Sequence, residues 1–302
     1  MRILTNDGLG KTYIDMLNNL GFEVMNIHYE KEVLKDKLKG FDVIVIRSAT
    51  KLDKEVLEAV KGSNLKLIIR AGVGIDNIDI KYAHEIGIQV KNTPNASSDS
   101  VAELVLAHMF AVARFLGDSN YTMRNGSWNK KIYEGTEIAG KTLGIIGMGR
   151  IGRSLGKKAA ALGMKVIYYT IEGKHSDLTY EFLSLDEVLA KSDFISLHVP
   201  YDKNLGSLIK EEEINKMKTG VYLINCARGM VVDEKALIDG LNSGKIAGAG
   251  IDVFEKEPTN NIELLNNPKV SITPHIGAAT KEAQNRIGEE IVSIIEKFFK
   301  ES

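Results

Sequence analysis

The chain has 302 residues, of which 44% are hydrophobic, and its 39 Lys and Arg balance 40 Asp and Glu to a formal net charge of −1. This length predicts two domains, and the absence of a basic excess argues against a nucleic-acid partner. The single cysteine, Cys226, excludes an internal disulfide and is typical of a reducing compartment. No signal-peptide core and no apolar run of the ~18 residues that a membrane span needs is present. We therefore expect a cytoplasmic protein without a membrane partner.

Residues 1–92 alternate short apolar runs with amphipathic stretches. We predict strands at 2–5, 23–27, 42–46, 66–69 and 88–90, and helices at 11–20, 32–38, 54–60 and 80–86. This alternation is typical of a parallel sheet covered by helices. The polar turn at 92–98 is the predicted crossover to a second domain.

A second series of strands and helices follows the crossover. It opens with a long helix, in which Val101, Leu104, Val105, Val112 and Phe115 share one face. Strands are predicted at 142–146, 165–169, 194–199, 221–224, 247–251 and 270–272. The last amphipathic helix has no strand after it and is expected to return to the first domain. The predicted domains are therefore 1–97 plus 281–302, and 98–280.

A glycine-rich loop, Gly147-Met148-Gly149-Arg150-Ile151-Gly152, lies between the predicted strand 142–146 and a predicted helix at 154–162. Strand, G-x-G-x-x-G and helix in this order indicate a dinucleotide-binding site. The first glycine makes the tight turn, the second admits the pyrophosphate and the third lets the helix pack closely. The helix N-terminus supplies partial positive charge.

Three polar motifs follow later strands of the second series: 225–229 with Arg228, 252–258 with Glu255 and Glu257, and 273–277 with His275. The carboxyl ends of parallel strands are where open α/β sheets bind ligands. Histidine suits removal of a hydroxyl proton, a carboxylate would orient the ring, and an arginine would bind a carboxylate or polarise a carbonyl. The set is suited to hydride transfer to or from a 2-hydroxy acid. Either glutamate fits the carboxylate role on this reasoning.

The chain resembles the D-isomer-specific 2-hydroxyacid dehydrogenases over nearly its whole length. The resemblance is carried by the glycine loop, by the three motifs above, and by Arg70-Ala71-Gly72-Val73-Gly74-Ile75-Asp76-Asn77-Ile78-Asp79, Ser100-Val101-Ala102-Glu103 and His198-Val199-Pro200. It implies an α/β fold of two doubly wound parallel-sheet domains, a flavodoxin-like substrate domain and a Rossmann dinucleotide-binding domain. Within the family, Arg47-Ser48, 70–74 and Asn92-Thr93-Pro94 are most similar to the D-3-phosphoglycerate dehydrogenases, and we expect a short form without regulatory domains.

The resemblance implies a catalytic set of Arg228, Glu257 and His275, with His275 as general acid and base and Glu257 as its partner. For the cofactor it implies Gly147, Gly149, Arg150, Ile151, Gly152, Thr170, His198, Val199, Pro200, Cys226, Ala227, Asp252 and Gly277. For the substrate it implies Arg47, Ser48, Arg70, Val73, Gly74 and Ser97. It also implies a homodimer, for which Trp128 is either an interface anchor or a covered surface residue. The scattered histidines show no metal-site spacing, so no metal is expected.

The chain departs from the family at three positions. Thr170 stands where NAD-specific members carry an acid that binds the adenosine ribose, with Glu172 and Lys174 just beyond it. We therefore expect NAD and keep NADP as the alternative. Leu205 stands where the family often has threonine, and Ser97 where close relatives often have asparagine.

The departures leave three functions open. Oxidation of 3-phosphoglycerate to 3-phosphohydroxypyruvate, the first step of serine biosynthesis, is the leading expectation. Glyoxylate or hydroxypyruvate reduction, or another D-2-hydroxyacid dehydrogenase activity, is the alternative. A dinucleotide-sensing protein similar to a corepressor is the third, and the intact Arg228, Glu257 and His275 argue against it.

Overall fold

The structure of the chain is a computed structural model that describes residues 1–300. It divides into two compact units, a first unit of Met1–Ser97 with Ala278–Ser302 and a second unit of Ser98–Gly277. The chain therefore returns to the first unit after Gly277, three residues before the predicted boundary at 280. Residues 301 and 302 of the predicted first domain lie outside the described residues.

The first unit contains a five-stranded parallel sheet in the order β2-β1-β3-β4-β5. Its strands are β1 Arg2–Thr5, β2 Glu23–Met25, β3 Val43–Ile46, β4 Leu67–Arg70 and β5 Gln89–Asn92. Its helices are α1 Lys11–Asn19, α2 Lys31–Lys37, α3 Lys54–Ala59 and α4 Ile80–Glu85. This strand order is the flavodoxin-like one.

Central strand β3 shows why this sheet is covered on both faces. All four of its residues are buried. Val43 and Val45 face a core shared with α1, whereas Ile44 and Ile46 face a core shared with α2, α3 and α4. A parallel strand buried on both faces has a continuous β-branched run rather than an alternating pattern.

The second unit contains a seven-stranded parallel sheet in the order β12-β11-β10-β9-β6-β7-β8. Its strands are β6 Thr142–Ile146, β7 Lys165–Tyr169, β8 Glu181–Phe182, β9 Phe194–Leu197, β10 Val221–Asn225, β11 Ile246–Ile251 and β12 Val270–Ile272. Its helices are α5 Ser98–Ala113, α6 Leu116–Arg124, α7 Arg150–Ala161, α8 Leu185–Lys191, α9 Glu211–Lys216, α10 Glu234–Ser243 and α11 Ile262–Leu265. The strand order reverses between β6 and β9, which is the switch point of a Rossmann sheet. The expected fold, two doubly wound parallel-sheet domains, is confirmed.

The predicted long helix is wrong at its C-terminal end. Helix α5 ends at Ala113, and Phe115 adopts a left-handed backbone (φ 53°) before α6 begins. The Phe115 ring contacts the Tyr133 ring at 5.9 Å between centroids. The apolar spacing continues across the break, so periodicity alone gives no sign of it. Strand β9 likewise ends at Leu197, two residues before its predicted end.

No single helix among residues 1–300 is long and apolar enough to cross a membrane. Helices α5 and α6 reach that length and composition only together, and they are bent by 62° relative to each other.

The last helix, α12 (Lys281–Lys300), packs on the first unit. Ile287, Ile291 and Ile295 join the core that contains Ile3 and Leu17. Arg286 Nε also donates to the Ala96 carbonyl at 2.8 Å, which ties the helix to the segment before the crossover. Both faces of the first sheet are thereby covered.

Candidate active site

The glycine loop follows β6 at the switch point of the second sheet. Gly147 has a φ of 99°, and a Cβ there would lie 2.4 Å from the His198 carbonyl oxygen. A Cβ on Gly152 would lie 2.4 Å from the Gly147 carbonyl oxygen. Only glycine therefore permits this turn and the close packing of α7 behind it. At Gly149, by contrast, an added Cβ would meet nothing within 4 Å, so the chain leaves open space there.

Helix α7 begins directly after Gly149, and no side chain caps its N-terminus. The first backbone N–H groups of a helix lack intrahelical partners and carry partial positive charge. Arg150 and Ile151 lie in this first turn. The loop thus presents unsatisfied donors beside open space, which is the arrangement that binds a pyrophosphate.

His198 follows β9 beside this loop. Its Nε2 lies 2.9 Å from Ser196 Oγ, and its Nδ1 is buried with no hydrogen-bond partner among the described residues. Burial lowers the pKa of His198 to about 4, so the ring is neutral at pH 7. Val199 is half-buried and Pro200 exposed in the same segment.

Thr170 follows β7, and its buried hydroxyl donates a hydrogen bond to the carboxylate of Glu172. This hydrogen bond lowers the pKa of Glu172, which is otherwise solvent-exposed. The carboxylate of Glu172 therefore lies two residues beyond the position at which NAD-specific members of the family carry their acid. The Thr170 hydroxyl holds this carboxylate in place.

Arg228 lies in a turn after β10. The Asn225 side chain accepts from the Ala227 amide at 3.1 Å and donates to the Arg228 carbonyl at 2.9 Å. The Arg228 guanidinium donates to the Ala227 carbonyl at 2.6 Å. A Cβ on Gly229 would lie 1.8 Å from the Phe254 carbonyl oxygen, so the turn packs directly on the backbone after β11. Asn225 thus fixes the arginine's backbone, a role that the sequence motif alone did not reveal.

Asp252 follows β11 and is 1% exposed. Its carboxylate accepts hydrogen bonds from the backbone amides of Ile276 and Gly277 at 2.8 and 2.9 Å. It also accepts from the Thr273 hydroxyl at 2.6 Å. Asp252 therefore fixes the segment that carries His275.

His275 and Glu257 form a hydrogen-bonded pair. The distance from His275 Nδ1 to Glu257 Oε2 is 2.7 Å, and each side chain is about one third exposed. His275 has a left-handed backbone (φ 54°), which is uncommon for a residue with a side chain and turns its ring toward the carboxylate. Because Nδ1–H donates to Glu257, Nε2 is the ring atom left to exchange a proton.

Glu257 stays ionised in this pair. Partial burial raises the pKa of Glu257, but the hydrogen bond and charge of His275, the Phe254 amide and the nearby Arg228 together lower it below its ordinary value. Arg228 is therefore close enough to act on the same carboxylate.

Glu255 has a different role, which decides between the two glutamates. Its carboxylate accepts from the Glu234 amide at 2.9 Å, and its own amide donates to the Glu234 carboxylate at 2.9 Å. Glu255 thus binds the N-terminus of α10, and only Glu257 of the two contacts His275.

Cys226 is a buried thiol directly after β10. Burial and the negative charge of Asp252 raise its pKa well above the ordinary value. A buried thiol of this kind is a weak nucleophile, so the structure gives Cys226 a packing role beside Ala227.

In the first unit, the loop after β3 places Arg47. The buried Asp7 carboxylate accepts from the Arg47 amide at 2.6 Å and from the Thr50 amide at 3.1 Å. The Asn77 side chain donates to the carbonyls of Arg47 and Thr50 at 2.7 and 2.6 Å. Ser48, in this loop, is exposed. The loop is therefore held from both sides.

The Arg47 guanidinium is partly desolvated. Burial lowers its pKa, the Asp7 charge opposes this shift, and its Nε is buried with no hydrogen-bond partner among residues 1–300. Arg47 borders an open cavity of about 370 Å³ at the carboxyl edge of the first sheet. The cavity is lined by Asp7, Gly8, Leu9, Gly10, Tyr13, Arg47, Ala71, Gln284, Asn285 and Ile287.

Arg70 ends β4 and folds back over Gly72. A Cβ on Gly72 would lie 1.6 Å from Arg70 Nη1. The Asn92 side chain donates to the Val73 carbonyl at 2.6 Å, which holds the loop that contains Val73 and Gly74. Val73 is exposed and Gly74 half-buried, whereas Ser97 is only 2% exposed.

No group of three or more His, Cys, Asp or Glu side chains within residues 1–300 is placed to hold a metal ion.

The family model described as "D-isomer specific 2-hydroxyacid dehydrogenase, NAD binding domain" matches residues 106–277, more than half of the chain. The chain belongs to the D-isomer-specific 2-hydroxyacid dehydrogenases. It is an NAD(P)-dependent oxidoreductase of that family.

Two curated relatives carry the likeness over nearly the whole chain. Hydroxypyruvate reductase of Thermotoga maritima is 47% identical over 304 residues, which cover 99% of this chain and 98% of the relative. D-3-phosphoglycerate dehydrogenase of Methanocaldococcus jannaschii is 42% identical over 98% of this chain but only 57% of the relative. A solved structure, D-lactate dehydrogenase from Aquifex aeolicus with NAD and lactic acid, has a TM-score of 0.86 and 35% identity, covering 99% of this chain and 96% of that one.

The second unit fits the dinucleotide of this family. Three features support this fit: the uncapped start of α7, the open space at Gly149, and the buried Nδ1 of His198, which has no hydrogen-bond partner among the described residues. A bound nicotinamide would supply the acceptor or donor of a hydride.

Proposed function

We propose that the chain is a D-3-phosphoglycerate dehydrogenase, which oxidises 3-phosphoglycerate to 3-phosphohydroxypyruvate with NAD. The observation that carries the substrate assignment is Arg47, a partly desolvated guanidinium with an unpartnered Nε beside a cavity of about 370 Å³. Arginine binds phosphate through a planar array of donors, and Ser48 adds a hydroxyl. We assign the phosphate end of the substrate to these two residues.

The proton chemistry follows from the His275–Glu257 pair. In oxidation, His275 Nε2 takes the proton of the C2 hydroxyl, and in reduction it returns that proton. Glu257 holds the ring in the tautomer with Nε2 free and stabilises the charge that the ring acquires. Arg228 binds the substrate oxygen on which negative charge develops. We assign the substrate carboxylate to Arg70 and to the amides of Val73 and Gly74.

We further propose that Glu172 selects NAD over NADP. Its carboxylate, held by the Thr170 hydroxyl, suits the ribose hydroxyls of NAD and repels a 2′-phosphate. Glu172→Gln should raise the ratio of kcat/KM for NADPH to that for NADH about tenfold, whereas Glu212→Gln on α9 should leave it unchanged. An unchanged ratio in Glu172→Gln contradicts this assignment.

Hydroxypyruvate reduction is the second candidate, favoured by the relative from Thermotoga maritima that matches this chain end to end. The deciding experiment is a kinetic matrix of NADH and NADPH against phosphohydroxypyruvate, hydroxypyruvate, glyoxylate and 2-ketoglutarate. Our proposal expects the highest kcat/KM with phosphohydroxypyruvate and NADH. A higher kcat/KM with hydroxypyruvate would assign the second function instead.

We propose a homodimer that uses α6 and the segment after it. Five large hydrophobic side chains there are half or more exposed: Leu116, Tyr121, Met123, Trp128 and Ile132. Apolar surface of this extent is typical of an interface. Trp128→Glu should shift the mass measured by light scattering from dimer to monomer, and a monomeric wild type would contradict the proposal.

A further inference from the structure

His108 is a buried polar residue on α5 that lies outside the catalytic set. It is 2% exposed, and its two ring nitrogens have partners within β12 and directly after it. Nδ1 lies 2.9 Å from Ser271 Oγ, and Nε2 lies 3.0 Å from Thr273 Oγ1. Both polar atoms of this buried ring are therefore hydrogen-bonded, as buried polar groups generally are.

The sheet makes room for this ring. A Cβ on Gly250 of β11 would lie 2.5 Å from His108 Cβ and 2.9 Å from His108 Cγ. Any larger residue at 250 would push the imidazole away from Thr273. Gly250, the last residue but one of β11, is therefore explained by the histidine that packs over it.

The direction of each hydrogen bond follows from proton counting. Thr273 Oγ1 lies 2.6 Å from Asp252 Oδ1, and an ionised carboxylate has no proton to give, so the hydroxyl donates to Asp252. That hydroxyl has only one proton, so it accepts from His108, whose Nε2 must carry hydrogen. The neutral ring then accepts at Nδ1 from the Ser271 hydroxyl. Burial lowers the pKa of His108, against the opposing charge of Asp252, which favours this neutral ring.

The series of hydrogen bonds that begins at His108 ends at the segment that carries His275. Asp252 accepts from the amides of Ile276 and Gly277, the two residues after His275. His275 itself has the left-handed backbone that brings Nδ1 to Glu257. Holding this backbone requires the carboxylate of Asp252 to stay in place.

We propose that His108 is a positioning residue for His275. Its Nε2–H donates to the Thr273 hydroxyl, so the single proton of that hydroxyl is directed to Asp252. The Asp252 carboxylate in turn fixes the backbone of the segment that carries His275. The proposal rests on the proposed function only in taking His275 as the proton-transfer residue. A residue that affects catalysis then lies on α5, a helix whose other buried residues mainly form the hydrophobic core.

The first test is the tautomer of His108, which does not depend on turnover. Long-range ¹H–¹⁵N correlation spectra of the folded protein, with His108→Gln to assign the signal, should show hydrogen on Nε2 at pH 7. Hydrogen on Nδ1 instead would mean that His108 does not donate to Thr273, and this would overturn the proposal. This readout stands even if no substrate in the kinetic matrix is turned over, in which case the proposed function alone fails.

The second test compares variants of the chain with a packing control. Thr273→Val keeps the shape and removes the hydroxyl, and His108→Met keeps much of the volume and removes the Nε2–H donor and the Nδ1 acceptor. Each should lower kcat about tenfold, the usual effect of one lost hydrogen bond at a working site, while KM for NADH stays within twofold. Thr273→Ser should restore kcat to within about twofold of wild type.

Val105→Ala, on the same helix and fully buried, is the matched control. It should lower the midpoint of thermal unfolding without lowering kcat, because it removes packing and no hydrogen bond. If His108→Met and Thr273→Val behave like Val105→Ala, His108 is structural only and the proposal is overturned. If His108→Met does not fold, Thr273→Val and its serine rescue still decide the question.

Discussion

His275 Nδ1 lies 2.7 Å from Glu257 Oε2, and the two residues come from segments after different strands of the same sheet. Because the carboxylate receives Nδ1–H, the proton-exchanging atom of the ring is fixed as Nε2. Glu257→Gln keeps the shape but removes the charge that stabilises the protonated ring. We expect kcat/KM to fall ~100-fold, at the lower end of the range for general acid–base catalysis, when measured with the best keto acid.

Glu255→Gln is the control for this prediction, since Glu255 binds the Glu234 amide at the start of α10. It should lower thermal stability slightly and leave kcat/KM within about twofold of wild type. A larger loss in Glu255→Gln than in Glu257→Gln would reverse the assignment of the two carboxylates.

Arg228→Ala should abolish most turnover while the cofactor still binds. The guanidinium acts on charge that develops in the transition state, and loss of such a donor costs ~10²- to 10³-fold in kcat. NADH fluorescence titration should give a dissociation constant within a few-fold of wild type. Arg228→Lys should recover little of the activity, because an ammonium lacks the planar pair of donors. Near-normal turnover in Arg228→Ala would remove it from the catalytic set.

Arg47→Ala should separate phosphorylated from unphosphorylated substrates. Loss of a charged hydrogen-bond partner should lower kcat/KM for phosphohydroxypyruvate ~100-fold and that for glyoxylate by less than about threefold. Asn77→Ala, which frees the loop that carries Arg47 but keeps the guanidinium, should give an intermediate loss. Equal losses on both substrates in Arg47→Ala would rule out the phosphate assignment.

Stability should fall with decreasing pH because of His198. Its pKa is lowered to about 4 in the folded chain and is near 6.5 when unfolded. Between these values the unfolded chain binds a proton that the folded chain does not, so this contribution is complete above pH ~6.5 and is lost as pH falls through ~4. His198→Asn should lose less of its free energy of unfolding between pH 7 and pH 4.5 than wild type, as measured by urea denaturation. Identical pH slopes would contradict this origin.

Cys226 should be unreactive in the folded chain, since burial and Asp252 raise the pKa of its thiol and only 8% of the residue is exposed. Iodoacetamide at pH 8 should alkylate it slowly in buffer and fast in guanidinium chloride, as followed by mass spectrometry. Cys226→Ser should retain kcat within about threefold. A loss comparable with that of His275→Ala would restore the nucleophile that the structure argues against.

The sheets were predictable because buried parallel strands have a strong local signature. The runs at 43–46 and 142–146 are short, apolar and bounded by polar residues, and both form central strands. The glycine loop was predictable because one of its steric demands is local: a Cβ on Gly152 would meet the carbonyl oxygen of Gly147 in the same loop. Where a pattern is set by neighbours in the chain, the sequence shows it directly.

The remaining features depend on partners that are distant in the chain. The break at Phe115 interrupts an unbroken apolar pattern, and β8 has only two residues, too few for a periodic signal. The choice between Glu255 and Glu257 rests on Glu234 and His275, each about 20 residues away along the chain. His108 looked like an isolated histidine because Ser271 and Thr273 lie more than 160 residues further on. Only the folded chain brings these groups together.

The return of α12 to the first unit has a practical consequence. A break in the chain between residues 97 and 98 would leave the first sheet on one piece and the helix that covers it on the other. The two pieces would then associate through this hydrophobic core, in which Ile287, Ile291 and Ile295 pack with Ile3 and Leu17. We expect pieces 1–97 and 98–302, made separately, to reassemble into a working split enzyme.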